Sequence, residues 1–297
     1  MDQKIIYGGQ AVIEGVMIRG MHIVSVAVRN PKGTISTHTV PVNSWFNSFI
    51  RKIPFVRGIL VMAETLAIGM RALTYSANIA AGEDEEFGKG SIAVMMILSL
   101  AFAIGFFFLL PVFASKGFES LVDSNLLANI LEGVIRLVLF LVYVIVIGRT
   151  EDIRRVFMYH GAEHMAVHAY ENGEKLTTES VSKYPTAHPR CGTAFLLVVM
   201  LVAIIVFAFI PRDPLWWLIT SRIVLIPAIA AASYEAIRLS GIYSSNPLLK
   251  MIAVPGLVLQ RLTTREPDPD QIEVAIVAMQ EAISHDEMQE SARQHSS

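Results

Sequence analysis

Three histidines and a glutamate in the stretch YHGAEHMAVHAY (159–170) are the residues of this chain best suited to chemistry. His160, Glu163 and His164 form an H-x-x-E-H pattern, the inverted form of the H-E-x-x-H signature of zinc-dependent peptidases. Because positions i and i+4 of a helix lie on one face, His160 and His164 can bind one divalent metal ion. A bound zinc ion lowers the pKa of a water ligand to about 7, and Glu163 can accept its proton as a general base.

A catalytic zinc ion usually has three protein ligands, so a third ligand must come from elsewhere in the chain. The loop AHPRCG (187–192) offers His188 and Cys191, and a later apolar stretch contains Glu235. Each candidate also has a purely structural interpretation. His188 can cap a loop, Cys191 can be a small buried side chain, and Glu235 can pair with a nearby arginine.

His168 lies one helical turn beyond His164. A straight helix cannot easily bring three histidines to one ion, so we expect His168 to lie outside the metal's ligands or to be exposed. The alternative for the whole stretch is a solvated helix face whose histidines do no chemistry.

The elements that position these residues are expected to belong to a membrane protein. Hydrophobic residues make up 53% of the 297 residues and charged residues 17%, whereas the usual charged share is about 25%. The net charge of -2 and the lack of a clustered basic patch argue against a nucleic-acid partner. The single cysteine cannot form an intrachain disulfide, and no signal peptide is expected because the first residues lack a long apolar core.

Four apolar stretches approach the length of a transmembrane helix, which needs about 20 residues. They cover residues 92–114, 126–148, 193–211 and 215–239. In the second stretch, Glu132 and Arg136 lie one turn apart and are expected to neutralise each other inside the bundle. Most Lys and Arg residues lie in the N-terminal region, the 149–192 loop and the C-terminal region, so these parts and both termini are expected in the cytoplasm.

The N-terminal residues 4–43 have the pattern of β structure, with strands predicted at 22–30 and 34–42. The glycine-rich stretch 7–20 is interpreted as turns and close backbone approaches. The polar residues that can approach the histidines from this stretch are Gln10, Glu14 and Arg19.

Helices outside the spans are predicted at 55–81, 151–171 and 266–283, and the first is amphipathic and lies on the membrane surface or against the bundle. Residues 246–264 are expected to be interfacial, with an interruption at Pro255-Gly256, and the last dozen residues to be disordered. The expected organisation is a cytoplasmic β unit (1–45), an amphipathic helix and acidic linker (46–90), a first transmembrane hairpin (91–148), the histidine helix and loop (149–192), a second hairpin (193–240) and an interfacial segment with a C-terminal cytoplasmic helix (241–297).

Several stretches together resemble the YqhQ-like family of bacterial membrane proteins. They are GGQAVIEGVMIRG (8–20), YHGAEHMAVHAYE (159–171), HPRCGTAF (188–195) and LQRLTTREPDPDQIEVAI (259–276). The family is described as predicted metal-dependent enzymes, and the resemblance covers nearly the whole chain. It implies that His160, Glu163, His164, His188 and Cys191 belong to signature motifs, but it implies no reaction or substrate.

We therefore expect a mainly α, polytopic protein of the bacterial inner membrane, with about four transmembrane helices, a small N-terminal β unit and cytoplasmic amphipathic helices. Its predicted function is that of a metal-dependent hydrolase, with peptides as the first substrate class and an unknown substrate or membrane-protein partner. Two alternatives remain. One is a non-enzymatic scaffold or biogenesis factor with a structural histidine cluster. The other is a transporter with a polar path through Glu132, Arg136, Arg222 and Glu235.

Overall fold

The computed structural model describes residues 7–42, 53–82, 89–118, 124–189, 191–242 and 246–294. The predicted acidic linker at 83–89 lies outside these ranges except for its last residue. Within the described ranges the chain is mainly helical, as predicted. The helices are α1 (Val56–Ala81), α2 (Lys89–Ile104), a π-helical stretch (Gly105–Leu109), α3 (Leu110–Gly117), α4 (Asn125–Ile147), α5 (Glu151–Glu171), α6 (Thr178–Val181), α7 (Thr193–Ala208), α8 (Leu215–Val224), α9 (Ile226–Ile242), α10 (Pro247–Thr263) and α11 (Pro269–Gln294).

The N-terminal segment forms an antiparallel sheet whose strands follow one another in chain order. They are β1 (Gly8–Val12), β2 (Gly15–Arg19), β3 (Ile23–Arg29) and β4 (Ile35–Pro41). The last two confirm the predicted strands. The β pattern predicted for 4–43 also holds at 7–20, where β1 and β2 pair through a two-residue turn in which Glu14 has a φ of 51°. The glycines expected in turns lie instead within or beside these two strands. Glycines weaken strand propensity, but burial of β2 and the pairing of β1 with it override this preference here.

Helices cover both faces of the sheet. Val16 and Ile18 of β2 pack with buried residues of α5 and α11. The valines of β3 that point the other way, among them Val24 and Val26, pack against Ala72 of α1. Burial on both faces selects apolar residues at nearly every position, and this explains why the pattern at 22–30 alternates imperfectly.

The described residues contain fewer candidate membrane spans than the four predicted. Two helical segments, Ala93–Gly117 and Asn125–Ile147, are long and apolar enough to cross a membrane. A third span exists if α8 and α9 act together, although they bend by 41°. Pro227, the second residue of α9, lacks the amide hydrogen that would continue α8. The predicted span at 193–211 becomes α7, whose 16 residues rise about 24 Å, short of a hydrocarbon core of about 30 Å.

A buried cluster of charged side chains connects α4 with α8 and with the segment that precedes α8. The carboxylate of Glu132 on α4 accepts hydrogen bonds from Arg136 at 2.8 Å, Arg212 at 2.9 Å and Arg222 at 3.0 Å. All four side chains are buried. The predicted Glu132–Arg136 pair is therefore present, but it shares its carboxylate with two further arginines. Arg212, which the sequence places in a turn between spans, also binds Asn129 and Ser115 and is only 1% exposed.

Helix α1 confirms the prediction for 55–81 and connects the sheet to the bundle. Near its start, Arg57 donates two hydrogen bonds to Glu235 of α9. Two turns later, Glu64 pairs with Arg19 of β2, with 3.0 Å between Oε1 and Nη2. The seven-residue spacing of Arg57 and Glu64 places both on one stripe, and the two ends of that stripe contact different parts of the protein.

The C-terminal segments are more regular than the sequence suggested. α10 runs continuously from Pro247 to Thr263, so Pro255 does not interrupt it. α11 extends to Gln294, well into the stretch expected to be disordered. The reason lies partly at Asp286, which is fully buried and accepts hydrogen bonds from the backbone amides of Met21 (2.8 Å) and His22 (2.9 Å). This carboxylate fixes the end of α11 to the turn between β2 and β3.

Candidate metal centre

The histidines lie on α5, which confirms the helix predicted at 151–171. The acidic residues Glu151 and Asp152 occupy its first turn, where the helix dipole favours negative charge. Gly173, with a φ of 74°, follows its end. Thr150 stands at the N-cap position, but its hydroxyl donates to the Ile147 carbonyl at 2.7 Å and does not cap the helix.

His160 and His164 are buried and oriented by backbone carbonyls. Nδ1 of His160 lies 2.8 Å from the Thr263 carbonyl oxygen, and Nδ1 of His164 lies 2.6 Å from that of Thr186. A carbonyl can only accept, so both Nδ1 atoms carry the hydrogen and both Nε2 atoms keep a free electron pair. Metal-binding histidines in proteins are usually held by this kind of outer hydrogen bond.

Cys191 completes a group of three ligand-type side chains. Its Sγ lies 3.2 Å from Nε2 of His160, and the ligand atoms of His160, His164 and Cys191 all lie within 4.8 Å of one another. Ligands of one tetrahedral zinc ion lie about 3.6 Å apart, from bond lengths of about 2.1 Å for nitrogen and 2.3 Å for sulfur. The backbone amide of Thr193 donates to the sulfur at 3.4 Å and so holds Cys191 in place. The donor set and its spacing therefore fit a zinc-type ion.

Glu163 is buried beside this group. Burial raises its pKa to about 8, against the opposing effects of His160 and of a hydrogen bond from the Gly9 amide. One of its carboxylate oxygens lies 3.4 Å from Nε2 of His164. Burial also lowers the pKa of His164 to about 3, and the neighbouring His160 adds to this effect. The site thus combines a neutral imidazole with a carboxyl group that can exchange a proton near neutral pH.

Gly9 on β1 makes the approach of Glu163 to the sheet possible. A Cβ atom at this position would lie 2.7 Å from Cγ of Glu163 and 2.5 Å from the Met17 carbonyl oxygen. The prediction of a close backbone approach in the glycine-rich stretch is therefore correct at Gly9. Of the three polar residues expected to approach from this stretch, Arg19 lines the cavity at the site. Glu14 instead binds Arg155 at the other end of α5.

His188 lies close to the first group but joins a second one. The ligand atoms of His168, Glu171 and His188 lie within 4.8 Å of one another, and His188 Nε2 is 3.4 Å from Glu171 Oε2. His168 is thus outside the first ligand group, as expected, but it is partly buried and not merely exposed. Burial lowers the pKa of His188 to about 4.

Glu235 is not brought to either histidine group. Its carboxylate accepts hydrogen bonds from Arg57 and from the backbone amide of Phe55 at 3.1 Å. The alternative interpretation of Glu235 as half of an ion pair is therefore the one that fits, although the partner is Arg57 and not an arginine of its own helix. The sequence could not indicate this pairing, because the two residues are 178 positions apart.

Gln260 holds the loop that carries both His188 and Cys191. Its side chain accepts from the His188 amide at 2.8 Å and donates to the His188 carbonyl at 2.9 Å, and it is fully buried. Sequence reasoning missed this residue, whose signal is an amide side chain inside the apolar segment 246–264. The carbonyls of Thr186 and Thr263 were also missed, since a backbone acceptor has no sequence signature.

A cavity of about 230 Å³ opens onto the site. Its walls come from the sheet (Tyr7, Gly8, Gly9, Met17, Arg19, Gly20), from α1 (Thr65), from α5 (Glu163, His164, Val167) and from the loop (His188, Cys191, Gly192). Four separate parts of the chain thus line a space next to Glu163 and the first ligand group.

The comparisons with known proteins agree with the resemblance seen in the sequence. Residues 53–285 match the family described as "Protein of unknown function (DUF1385)". The chain is 36% identical over 293 residues to "Uncharacterized protein YqhQ" of Bacillus subtilis (strain 168), covering 93% of this chain and 92% of the relative. No solved structure matches. The family match contains α5 and the loop, whereas Gly9 and the sheet lie before it.

Proposed function

The chain belongs to the DUF1385 family, and we propose that it is a membrane-embedded, metal-dependent hydrolase. The observation that carries this proposal is the convergence of His160, His164 and Cys191, whose ligand atoms face one another beside the buried Glu163. Two imidazoles fixed through Nδ1 and one thiol form a three-ligand set of the kind that leaves a position open for chemistry.

Each polar residue has a defined part in the proposed reaction. A divalent ion held by His160, His164 and Cys191, most simply zinc, would supply the positive charge that activates water and polarises a carbonyl. Glu163 would take a proton from the attacking water and pass it to the leaving group. In the metal-free site burial raises the pKa of Glu163, and the positive charge of a bound ion would lower it again, towards the range of a base at neutral pH.

Peptides are the substrate class that the cavity wall suits best. β1 is one of the two edge strands of the sheet, and Gly8 and Gly9 are exposed where they line the cavity. An edge strand offers backbone groups to which an extended peptide can bind by adding a strand.

The membrane setting is part of the same proposal. Two of the described helical segments are long and apolar enough to span a bilayer, and the bent pair α8 and α9 would enter and leave it on one side. This even number of crossings keeps the sheet, α5 and α11, which form one unit with a shared hydrophobic core, on the same side of the membrane. We place this unit and both termini in the cytoplasm, because the Lys and Arg residues are concentrated on that side. The site would then act at the cytoplasmic face of the cell membrane.

Metal analysis and peptide hydrolysis test the proposal. Full-length protein purified in detergent is expected to retain a metal ion at this site, and the His160→Ala/His164→Ala variant to hold one ion fewer per chain. Glu163→Gln is expected to keep the metal but to lower hydrolysis of quenched fluorogenic peptides by about 10²- to 10⁴-fold, because the base is lost. The exposed Glu174→Gln on the loop after α5 is the matched control and should behave like the wild type.

Two results would contradict the proposal. Equal, near-zero metal in the wild type and the double-histidine variant would remove the metal site. Metal retained in the wild type, with full function of Glu163→Gln in cells that lack the native gene, would instead identify the cluster as structural and favour the scaffold alternative.

A further inference from the structure

The second ligand group repeats the arrangement of the first one along the same two segments. On α5, His168 and Glu171 continue the face that begins with His160 and His164. In the loop, His188 precedes Cys191 by three residues. The loop therefore contributes Cys191 to the first group and His188 to the second.

We propose that His168, Glu171 and His188 bind a second divalent cation next to the first site. The three ligand-type atoms lie within 4.8 Å of one another, and two imidazoles with one carboxylate are a common catalytic ligand set for zinc and iron. The inference goes beyond the proposed hydrolase activity, because the second cation can be measured whatever reaction the protein catalyses.

The orientation of His168 supports a ligand role. Its Nε2 lies 3.0 Å from the Ala187 carbonyl oxygen, so Nε2 carries the hydrogen and Nδ1 keeps the electron pair. This is the reverse of the tautomer in His160 and His164, and again a backbone carbonyl sets it. The ring also stacks on Tyr184, at 6.2 Å between centroids and 10° between planes, which restricts its rotation.

The position of His188 links the two groups. Its ring centroid lies 4.4 Å from that of His168 and 5.7 Å from that of His164. Gln260 fixes its backbone on both sides. His188 lines the same cavity as Glu163, and the Glu171 side chain is 28% exposed, so a cation can reach the second group from solution.

The two groups are expected to prefer different metals. The first contains a thiol, which favours zinc, whereas the second offers only nitrogen and oxygen, which also suit manganese and iron. Protein stripped with a chelator and reloaded with Zn²⁺ should therefore hold two ions per chain. Stripped protein given one equivalent of Zn²⁺ and then Mn²⁺ should instead hold one ion of each, because zinc fills the thiol-containing group first.

The experiment measures the number of metal ions per chain in full-length protein in detergent by inductively coupled plasma mass spectrometry. Glu171→Gln and His168→Ala should each lower the number of bound ions per chain from two to one. Both should abolish the electron paramagnetic resonance signal of bound Mn²⁺, whereas Glu174→Gln should keep two ions. The near-isosteric Glu171→Gln keeps the inference testable even if His168→Ala folds poorly. The His160→Ala/His164→Ala variant should keep one ion, which the second group holds.

The outcomes separate this inference from the hydrolase proposal. One ion in the wild type that Glu171→Gln does not affect would overturn the second site and leave the first intact. One ion that is lost in Glu171→Gln but kept in the double-histidine variant would support the second site and overturn the first. No bound ion in the wild type would overturn both.

Discussion

At the scale of single residues, burial shifts the pKa values of the imidazoles and of the carboxyl group of the site in opposite directions. The pKa of His164 is lowered to about 3 and that of His188 to about 4, each mainly by burial. The pKa of Glu163 is raised to about 8 by burial. These shifts have opposite effects on stability, since protonation of the histidines favours the unfolded chain and protonation of Glu163 favours the folded chain.

We predict that the metal-free protein is most stable near pH 6.5. As the pH falls from 8, folded Glu163 takes up a proton that the unfolded chain does not, so stability rises. Below about 6.5, unfolded His164 and His188 each take up a proton that the folded chain refuses. The unfolded chain then binds two protons on the histidines, whereas the folded chain binds one on Glu163. The free energy of unfolding therefore falls by about 1.4 kcal/mol per pH unit down to about pH 4.5. Unfolding midpoints of chelator-treated protein between pH 4.5 and 8 measure this profile.

Two variants separate the contributions. Glu163→Gln should lose the rise between pH 8 and 6.5 and fall about twice as steeply below it, because nothing then opposes the histidines. His164→Gln should make the free energy of unfolding nearly independent of pH between 6.5 and 4.5, because the one remaining histidine balances Glu163. A wild-type profile that Glu163→Gln leaves unchanged would show that this carboxyl group titrates in the folded protein as it does in water.

Residue types and spacing were sufficient to predict the core of the candidate site. The H-x-x-E-H pattern identified His160, Glu163 and His164, and the H-x-x-C loop identified His188 and Cys191, all of which the structure brings near one another. The division of the loop between two groups was not predictable, because it depends on where His188 and Cys191 lie relative to α5. Glu171 was missed because a carboxylate at a helix end usually only faces solvent.

At the scale of elements, the long patterns predicted α1, α5 and the start of α11, but α10 required tertiary contacts. A proline inside a helix removes one hydrogen bond and costs about 3 kcal/mol in isolation. Buried contacts of Leu259 and Gln260, at the end of α10, compensate for this cost. The sequence pattern at Pro255-Gly256 shows the local cost but not the packing that offsets it.

We predict that Gln260→Leu destabilises the protein and weakens metal binding together. The substitution removes the hydrogen bond that Gln260 accepts from the buried His188 amide, at about 1–3 kcal/mol. It also removes one of the two hydrogen bonds to the His188 carbonyl, which keeps the bond from the Cys191 amide at 3.2 Å. Because the same loop carries Cys191, metal affinity should fall about 10- to 100-fold, as for other outer-sphere partners of metal ligands. Thermal unfolding and competition with a chelating dye measure the two effects. Gln280→Leu, on an exposed position of α11, is the matched control and should change neither quantity by much.

A lowered unfolding midpoint with unchanged metal affinity would contradict this prediction. It would mean that α10 supports the fold without positioning the loop.

At the scale of the whole molecule, the site depends on segments far apart in the chain. The sheet supplies Gly9, α5 supplies the histidines and Glu163, the loop supplies Cys191, and α10 supplies the Thr263 carbonyl. α1 and Asp286 of α11 fix the sheet in place. The sequence indicated each element separately, but no local pattern indicates that a strand near residue 9 meets a helix near residue 163.

We therefore predict that Gly9→Ala impairs the site although it changes neither a ligand nor the base. The added methyl group would lie 2.5 Å from the Met17 carbonyl oxygen and 2.7 Å from Cγ of Glu163, so β1 and α5 must separate. We expect destabilisation of about 1–3 kcal/mol, typical of overpacking, and at least a tenfold loss of peptide hydrolysis with metal content unchanged. Gly8→Ala is the matched control, because a Cβ atom there meets nothing within 4 Å. If Gly9→Ala and Gly8→Ala have the same unfolding midpoint and activity, the N-terminal sheet does not position Glu163, and the site is confined to the segments from α5 onwards.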